Sequence, residues 1–465
     1  MRHFRSVQTI RADQALTREG WREDVRITIG DDGRIAAVET GMASGRHEPD
    51  GIRVGILLPS PVNLHSHSFQ RAMSGLSERR GPSGRDSFWT WRETMYRFVD
   101  VLTPDDAQAI AAFVQMEMLE AGYAGVAEFH YLHHQPDGAP YADIAEMSAR
   151  IASAAAATGI GLTLLPVLYE QGGCDGRPLG AGQRRFGNDP ERFGRLFEKA
   201  GKALAGLPRD ARIGVAPHSL RAVSREGLAF AAALAPNAPI HIHAAEQVGE
   251  VEEVETGLGA RPVSYLLDNL GVDGRWCLIH CTQMERRETE GLARTGAVAG
   301  LCPITESSLG DGIFDGRAWL DASGRFGVGS DSNIRISLAE ELRTLEYSQR
   351  LRDRARAVLA DERRSTGREL FEEAVKGGAQ AAGREAGAIA PGMLADLVAL
   401  DGECIDLVGK QGDTVLDTFL FAGDSAMVSE VWSAGRHVVR RGRHVEHETI
   451  VEAYRKTMSG LGERL

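Results

Sequence analysis

The sequence predicts an α/β protein: a (β/α)8 TIM-like barrel with a small split β-sandwich domain formed by the N- and C-terminal segments. Three observations predict it. Through the middle of the 465 residues, eight short apolar runs alternate with segments of helical character. The two ends share another texture, of short alternating strands. Residues able to do chemistry gather at the C-terminal ends of the apolar runs, the face on which such barrels carry their sites.

The elements follow in order. Residues 1–57 read as the first part of the β domain. Val25-Arg-Ile-Thr-Ile and Gly33-Arg-Ile-Ala-Ala-Val are its strands, and Asp-Asp-Gly at 31–33 is a hairpin signal. Residues 58–387 are read as the barrel. Its strands are expected at Ile56–Leu64, Gly125–Tyr131, Gly161–Leu168, Arg212–Pro217, Pro239–His243, Cys277–His280, Ala297–Leu301 and Phe326–Ser330. Thr103-Pro-Asp-Asp opens one intervening helix, with an N-cap, a proline at the first helical position and first-turn acids. Residues 388–465 read as the second part of the β domain plus a terminal helix. Gly392-Met-Leu-Ala-Asp-Leu-Val-Ala-Leu leads into a strand, and 428–439 reads as a hairpin. Gly257-Leu-Gly259 follows an acidic helical stretch and not a strand, so it reads as a loop instead of a dinucleotide fingerprint.

Composition narrows the function classes. A hydrophobic content of 43% allows a large core, and 54 glycines suit many tight connections. The net charge is −12, without a basic tract, which speaks against nucleic-acid binding. Cys174, Cys277, Cys281, Cys302 and Cys404 are odd in number and scattered, so neither a disulfide framework nor a thiolate zinc site is indicated. The first ten residues lack an apolar signal core, and no stretch approaches membrane-spanning length. The expectation is a cytoplasmic protein with no membrane partner.

The most informative stretch is the apolar run that ends in His65-Ser-His67. Strand side chains alternate, so both imidazoles point to one side. Two neutral imidazoles converging on one point suit a borderline divalent ion such as zinc. Downstream, His241-Ile-His243-Ala-Ala-Glu246, Leu278-Ile-His280-Cys281 and Gly329-Ser330-Asp331-Ser332-Asn333 each end an apolar run. His65, His67, His243 and Asp331 therefore form one candidate metal set with room for a water. A turn after His243 would let Glu246 face substrate and move a proton. His280 would polarise a substituent on the attacked carbon or orient the water.

Each residue has a blander reading. His243 could be a satisfied core histidine, Asp331 could cap a helix starting near Ser337, and Glu246 could be a solvated first-turn acid. His241 is assigned to packing. His130, His133 and His134 tempt as a second metal site; one facing the pocket and two facing solvent is the expectation. His437, His444 and His447 are expected at the surface of the β domain.

The ordered set His65-x-His67, His243-x-x-Glu246, His280 and Asp331, with the segment Gly387-Ala-Ile-Ala-Pro-Gly-Met-Leu-Ala-Asp-Leu-Val, resembles the amidohydrolase superfamily over nearly the whole chain. The set is similar to that of its mononuclear deaminase branch. Binuclear members use a bridging lysine near strand four, where this chain has Val215-Ala-Pro-His218, so the resemblance implies one metal ion, Zn2+ by preference. Within the branch, Asn63-Leu-His-Ser-His-Ser-Phe-Gln70, Phe88-Trp-Thr-Trp-Arg92, Glu128-Phe-His-Tyr131 and Ala216-Pro-His218-Ser-Leu-Arg221 most resemble the formimidoylglutamate deiminases. That resemblance implies catalytic roles for Glu246, His280 and Asp331. It also implies substrate contacts from Gln70, Arg92, Tyr131, His218 and Arg221.

Arg92 and Arg221 could be surface ion-pair partners. Facing one pocket, they would instead recognise carboxylates, because a guanidinium matches a carboxylate bidentately. Three functions are then open: a zinc-dependent iminohydrolase of a small dicarboxylate amidine, a related deaminase or chlorohydrolase acting on a nucleobase or analogue, and a catalytically silent barrel. The filled metal and proton-transfer positions disfavour the last, and the arginines favour the first. Such barrels are commonly homodimers, and the Trp-rich segment 88–96 could serve a lid or an interface.

Overall fold

The structure is a computed structural model that describes residues 8–41, 51–78 and 88–465. The first seven residues, and parts of the expected N-terminal β segment and of the stretch before Phe88, lie outside the described residues.

The terminal segments meet in one sheet. The N-terminal segment supplies β1 (Gln8–Thr17), β2 (Gly20–Ile29), β3 (Ile35–Glu39) and β4 (Gly51–Pro59). Next in chain order come the barrel strands: β5 (Val62–Ser66), β6 (Gly125–His130), β7 (Gly161–Leu168), β8 (Arg212–Ile213), β9 (Ala216–Pro217), β10 (Ile240–Ala244), β11 (Trp276–His280), β12 (Val298–Leu301) and β13 (Arg325–Val328). The C-terminal segment adds β14 (Leu397–Leu400), β15 (Val428–Ser433), β16 (Arg436–Arg440) and β17 (Arg443–His444). The eight terminal strands run in the order β17-β16-β15-β14-β4-β1-β2-β3. Hairpins β2–β3 and β15–β16 fall where the sequence expects them.

This sheet alternates. Val25, Ile27 and Ile29 of β2 are buried while Arg26 and Thr28 between them are not fully covered. With Ile10, Leu57, Leu397 and Trp432 they form a separate apolar core. The edge strand β3 does not stay open. Arg34 bridges Leu394, and the Ala395 N–H donates to Gly33 O at 2.9 Å. The eight terminal strands thus form one sheet with its own apolar core.

Most of the middle strands are buried along their whole length, as parallel strands covered on both faces must be; β8 and the first residue of β13 are less covered. They form two parallel sheets, β5-β6-β7-β8 with β9 beside β7, and β10-β11-β12-β13. Parallel bridges join both seams: Val215 to Ile240 and Ser219 to His243 on one side, Ser66 to Asp331 on the other. The ring is thereby closed.

Two expected strands come out differently. Ile56–Leu64 is not one element: β4 joins the terminal sheet, and the barrel begins at β5. Ser60-Pro61 makes the break, because Pro61 has no N–H for a ladder. Ser60 instead bonds to Asp396 O and Gly122 O. Arg212–Pro217 likewise divides into β8 and β9, and the Gly214 N–H is drawn to Leu164 O.

Helix α1 (Phe88–Val101) and helix α2 (Pro104–Glu120) follow the first barrel strand. Thr103 caps α2 in a reciprocal box with Asp106, and Pro104 sits at its start. The stretch read as a loop is instead a helix end: Gly257 and Leu258 are in the last turn of helix Val248–Leu258, and Gly259 is its left-handed C-cap. Barrel and terminal sheet are joined by a buried network. The Arg384 guanidinium grips the Asp396 carboxylate at 2.9–3.0 Å, and Asp210 accepts from Arg384 and, at 2.6 and 2.7 Å, from Arg436.

Candidate active site

The chemistry lies at the C-terminal ends of the barrel strands. His65 is on β5 and His67 follows that strand, His243 is on β10, His280 ends β11, and Asp331 comes three residues after β13. The loop carrying Asp331 is zipped to β5: Asp331 N–H donates to His65 O, and His67 N–H donates to Asp331 O, both at 2.9 Å. Asn63 and Asn333 brace this seam. Asn63 exchanges hydrogen bonds with Ser330, and the Asn333 amide reaches His67 O and Asp331 O. Ala245, His280, Cys281, Asp331 and Asn333 all have positive φ. Non-glycine residues hold such conformations only where their surroundings impose them, and these five cluster at one site.

Ligand atoms of His65, His67, His243 and Asp331 lie within 4.8 Å of one another, and all four residues are buried. His65 Nε2 and His67 Nε2 stand 3.5 and 3.3 Å from Asp331 Oδ1. The Nδ1 of His67 is 3.0 Å from Phe129 O, and that of His243 is 3.1 Å from His218 O. A carbonyl only accepts, so each Nδ1 carries the proton and each Nε2 presents a lone pair inward. Burial and neighbouring imidazoles hold His65 and His243 well below the ordinary histidine range, which keeps them neutral. Converging lone pairs with an adjacent carboxylate fit a divalent cation. The same geometry disposes of the blander readings: Ser337, not Asp331, caps helix Leu338–Asp353, and His243 faces inward. His241 lies on the same side of β10 as His243, two residues nearer the strand's N-terminal end, where it is used in packing and bonds to Ala381 O.

Beside this cluster stand Glu246 and His280. The chain turns at Ala245, and the Glu250 carboxylate accepts from the Ala245 and Glu246 N–H groups at 3.1 and 2.8 Å. That directs Glu246 to within 3.7 Å of His280 Nε2. Burial raises Glu246 to about 7 against the pull of His280, and Glu250 and Asp331 add repulsion. Burial alone would lower His280, but Glu246, Glu306 and Asp331 outweigh it and hold the imidazole well above its ordinary value. Glu306 Oε1 lies 3.2 Å from His280 Nδ1 and fixes the ring.

One cleft of ≈ 580 Å³, counting its open mouth, brings these groups together. It is lined by His67, His243, Glu246, His280 and Asp331, and also by Gln70, Arg92, Tyr131, His218 and Arg221. Every substrate-contact candidate read from the sequence therefore faces one space. Gln70 Nε2 donates to Tyr131 Oη at 2.8 Å, which leaves Gln70 Oε1 buried without a partner. Burial would depress Arg221, but Glu250, Tyr169, Glu246 and Glu253 hold it charged. Arg92 lies over the Tyr96 ring at 5.6 Å. Trp91, Arg92, Met95 and Tyr96 make α1 one wall of the cleft.

The expectation for His130, His133 and His134 is corrected: all three are buried and none lines the cleft. His133 and His134 are consumed by packing, bonding to Val167 O and to Asn188 Oδ1 with Gly187 O. His444 is also buried rather than at the surface, bonded to Thr158 O. His437 and His447 are half-buried against Glu430 and Glu120. Sequence reasoning missed Glu306 and Glu250, and also Tyr169 and Phe186, which line the cleft. Asn63 and Asn333 could have been found, since they sit inside the motifs that carry His65 and Asp331.

A family model described as the amidohydrolase family matches residues 56–438. The chain belongs to the amidohydrolase family. Residues 7–50 of this amidohydrolase match a second model, the N-terminal domain of formimidoylglutamate deiminase HutF. It is 47% identical to the formimidoylglutamate deiminase of Pseudomonas aeruginosa over 457 residues, 98% of this chain and 100% of that protein. The 5'-deoxyadenosine deaminase of Methanopyrus kandleri is 26% identical over 93% of both chains. Among solved structures, an amidohydrolase from Brucella melitensis superposes with a TM-score of 0.93 at 50% identity, covering 98% of this chain and 99% of that one. A zinc-bound adenosine deaminase from Xanthomonas campestris shares the amidohydrolase fold, with a TM-score of 0.81 at 21% identity over 98% of both chains. Among the described residues, no helix is long and apolar enough to cross a membrane.

Proposed function

We infer that this amidohydrolase is a formimidoylglutamate deiminase. It hydrolyses N-formimino-L-glutamate to N-formyl-L-glutamate and ammonia, a step of histidine degradation. The observation that carries this reading is the pairing, in one cleft, of a three-histidine, one-aspartate cluster with two guanidinium groups. The end-to-end likeness to a formimidoylglutamate deiminase supports it. The guanidinium groups of Arg92 and Arg221 match the two carboxylates of the glutamate part of this substrate, which a nucleobase lacks. On this reading, the chain from β5 to about residue 387 is the metallohydrolase barrel, and β1–β4 with the segment from residue 388 are the split β domain.

His65, His67, His243 and Asp331 would hold one divalent ion, for which we propose zinc; when bound it supplies Lewis acidity that brings water toward ionisation near neutral pH. The protein's own groups do the rest. Arg92 and Arg221 receive the carboxylates and fix the amidine over the cluster. Gln70 Oε1, buried without a partner, accepts from a substrate N–H, and Tyr131 and His218 complete the register. Glu246 takes a proton from the water as its oxygen bonds to the amidine carbon. It then hands that proton to the terminal nitrogen, whose bond to carbon breaks to release ammonia while the remaining O–H proton passes to Glu246 and the formyl C=O forms. His280, held cationic by its carboxylate neighbours, donates to the attacking oxygen. Ammonia release that depends on the side-chain carboxylate of the substrate tests this reading.

A further inference from the structure

Arg221 stands on a turn that is clamped at both ends. On one side, the His243 N–H donates to His218 O at 3.0 Å, tying the turn to the strand that carries a metal ligand. On the other side the clamp is Glu170, which follows Tyr169 at the end of β7 and is not among the residues lining the cleft. The Glu170 N–H donates to Ala222 O at 2.7 Å, and the Gln171 N–H donates to the same oxygen at 3.1 Å. The Glu170 carboxylate accepts from Ser224 N–H at 2.9 Å and from Ser224 Oγ at 3.1 Å. One residue therefore holds positions 222 and 224 immediately after Arg221.

The carboxylate is well placed for this. Ser224 caps helix Arg225–Leu234, with its Oγ accepting from Gly227 N–H at 3.0 Å. Glu170 thus sits against the positive end of that helix and locks the cap. Gly227 leaves the space: a Cβ at this position would strike the Glu170 carboxylate.

We propose that Glu170 is a positioning residue for substrate recognition, which sets where the Arg221 guanidinium stands and so governs selectivity for carboxylate-bearing substrates without touching them. The proposal rests on the reading that Arg221 receives a carboxylate. A displacement of about 1 Å in a positioning group can cost on the order of 10²-fold, so a distant clamp has a measurable effect.

The test is a double-mutant cycle on the metal-loaded enzyme with N-formimino-L-glutamate, accompanied by melting curves. Glu170→Ala raises KM about tenfold, with the loss falling on KM instead of kcat, as expected for a misplaced binding group. Glu170→Gln keeps an acceptor for Ser224 N–H and recovers most of that loss. Gly227→Ala displaces the carboxylate without deleting it and reproduces the KM defect, which keeps the proposal testable should Glu170→Ala fail to fold. In an Arg221→Met background, Glu170→Ala adds less than about twofold, because the two act through one interaction. Losses that multiply in the double variant, or that fall equally on N-formiminoglycine, overturn the proposal and leave the role of Arg221 intact. An Arg221→Met enzyme with unchanged KM overturns the carboxylate reading itself, and the proposal with it.

Discussion

The Nε2 atoms of His65 and His243 lie 3.1 Å apart in a buried site. The other nitrogen of His243 already donates to His218 O, so at most one proton, from His65, can sit between the two rings. A cation shared by both rings removes that conflict and draws Asp331 into the same set. The cluster is therefore built around a charge that the protein does not itself supply.

The first prediction follows from that arrangement. The purified enzyme carries one tightly held divalent ion per chain, and chelation abolishes activity until metal is restored. His67→Ala loses both metal and activity. Metal quantitation together with rate measurement checks this; two ions per chain, or full activity in the chelated enzyme, would contradict it.

Glu246→Gln retains the metal but loses about 10²–10⁴-fold in rate, the usual contribution of a general acid–base group. The amide nearly matches the carboxylate in size but cannot take the water proton. The unprotonated carboxylate is the working form, so kcat/KM falls as pH drops through the Glu246 pKa. Burial sets that value at about 7, and a bound cation, which favours the carboxylate, moves the limb below it. A pH profile with no acid limb, or a loss below about tenfold in Glu246→Gln, would count against the role.

Arg92→Met and Arg221→Met each lower kcat/KM by about tenfold or more, since a hydrogen bond to a charged group is worth about 1.5–3 kcal/mol. The charge on Arg221 is balanced by Glu250, Glu246 and Glu253 even without substrate. Arg221→Met should therefore cost binding more than stability, which steady-state kinetics and a melting curve separate.

The domain junction has its own pH signature. Burial works against the Asp210 carboxylate, but Arg436 and Arg384 outweigh it and hold its pKa down at about 2. A depressed folded-state pKa gives stability that is present above the unfolded value near 4 and lost as pH falls through about 2. Its size is on the order of 2 kcal/mol. Melting wild type and Asp210→Asn from pH 6 to pH 2 checks this: the variant is less stable at pH 6, and the gap narrows below about pH 4. A gap independent of pH would contradict it.

Much of this was legible in the sequence because barrel strands announce themselves twice, once as apolar runs and once through the polar residues at their ends. His65, His67, His243, Glu246, His280 and Asp331 each close such a run, and the ring brings those ends to one face. The split at Ser60-Pro61 was missed because an apolar stretch reads the same whether one strand or two pass through it. The histidines at 133 and 134 misled because a backbone carbonyl can satisfy a buried imidazole, and periodicity does not reveal carbonyls such as Val167 O. Glu306 and Glu250 were invisible for a related reason. Each sits on a helix like many solvated acids, and only the folded ring turns them toward His280 and the Glu246 turn.

The central claim is that the cleft joins amidine hydrolysis to recognition of two carboxylates. The most direct measurement compares kcat/KM for ammonia release from N-formimino-L-glutamate, N-formiminoglycine, 5'-deoxyadenosine, guanine and cytosine on one metal-loaded preparation. The account predicts that N-formimino-L-glutamate is turned over fastest, and that loss of its side-chain carboxylate costs about tenfold or more because a charged hydrogen bond to an arginine is lost. Faster turnover of a base or nucleoside, or equal rates with and without that carboxylate, would contradict it.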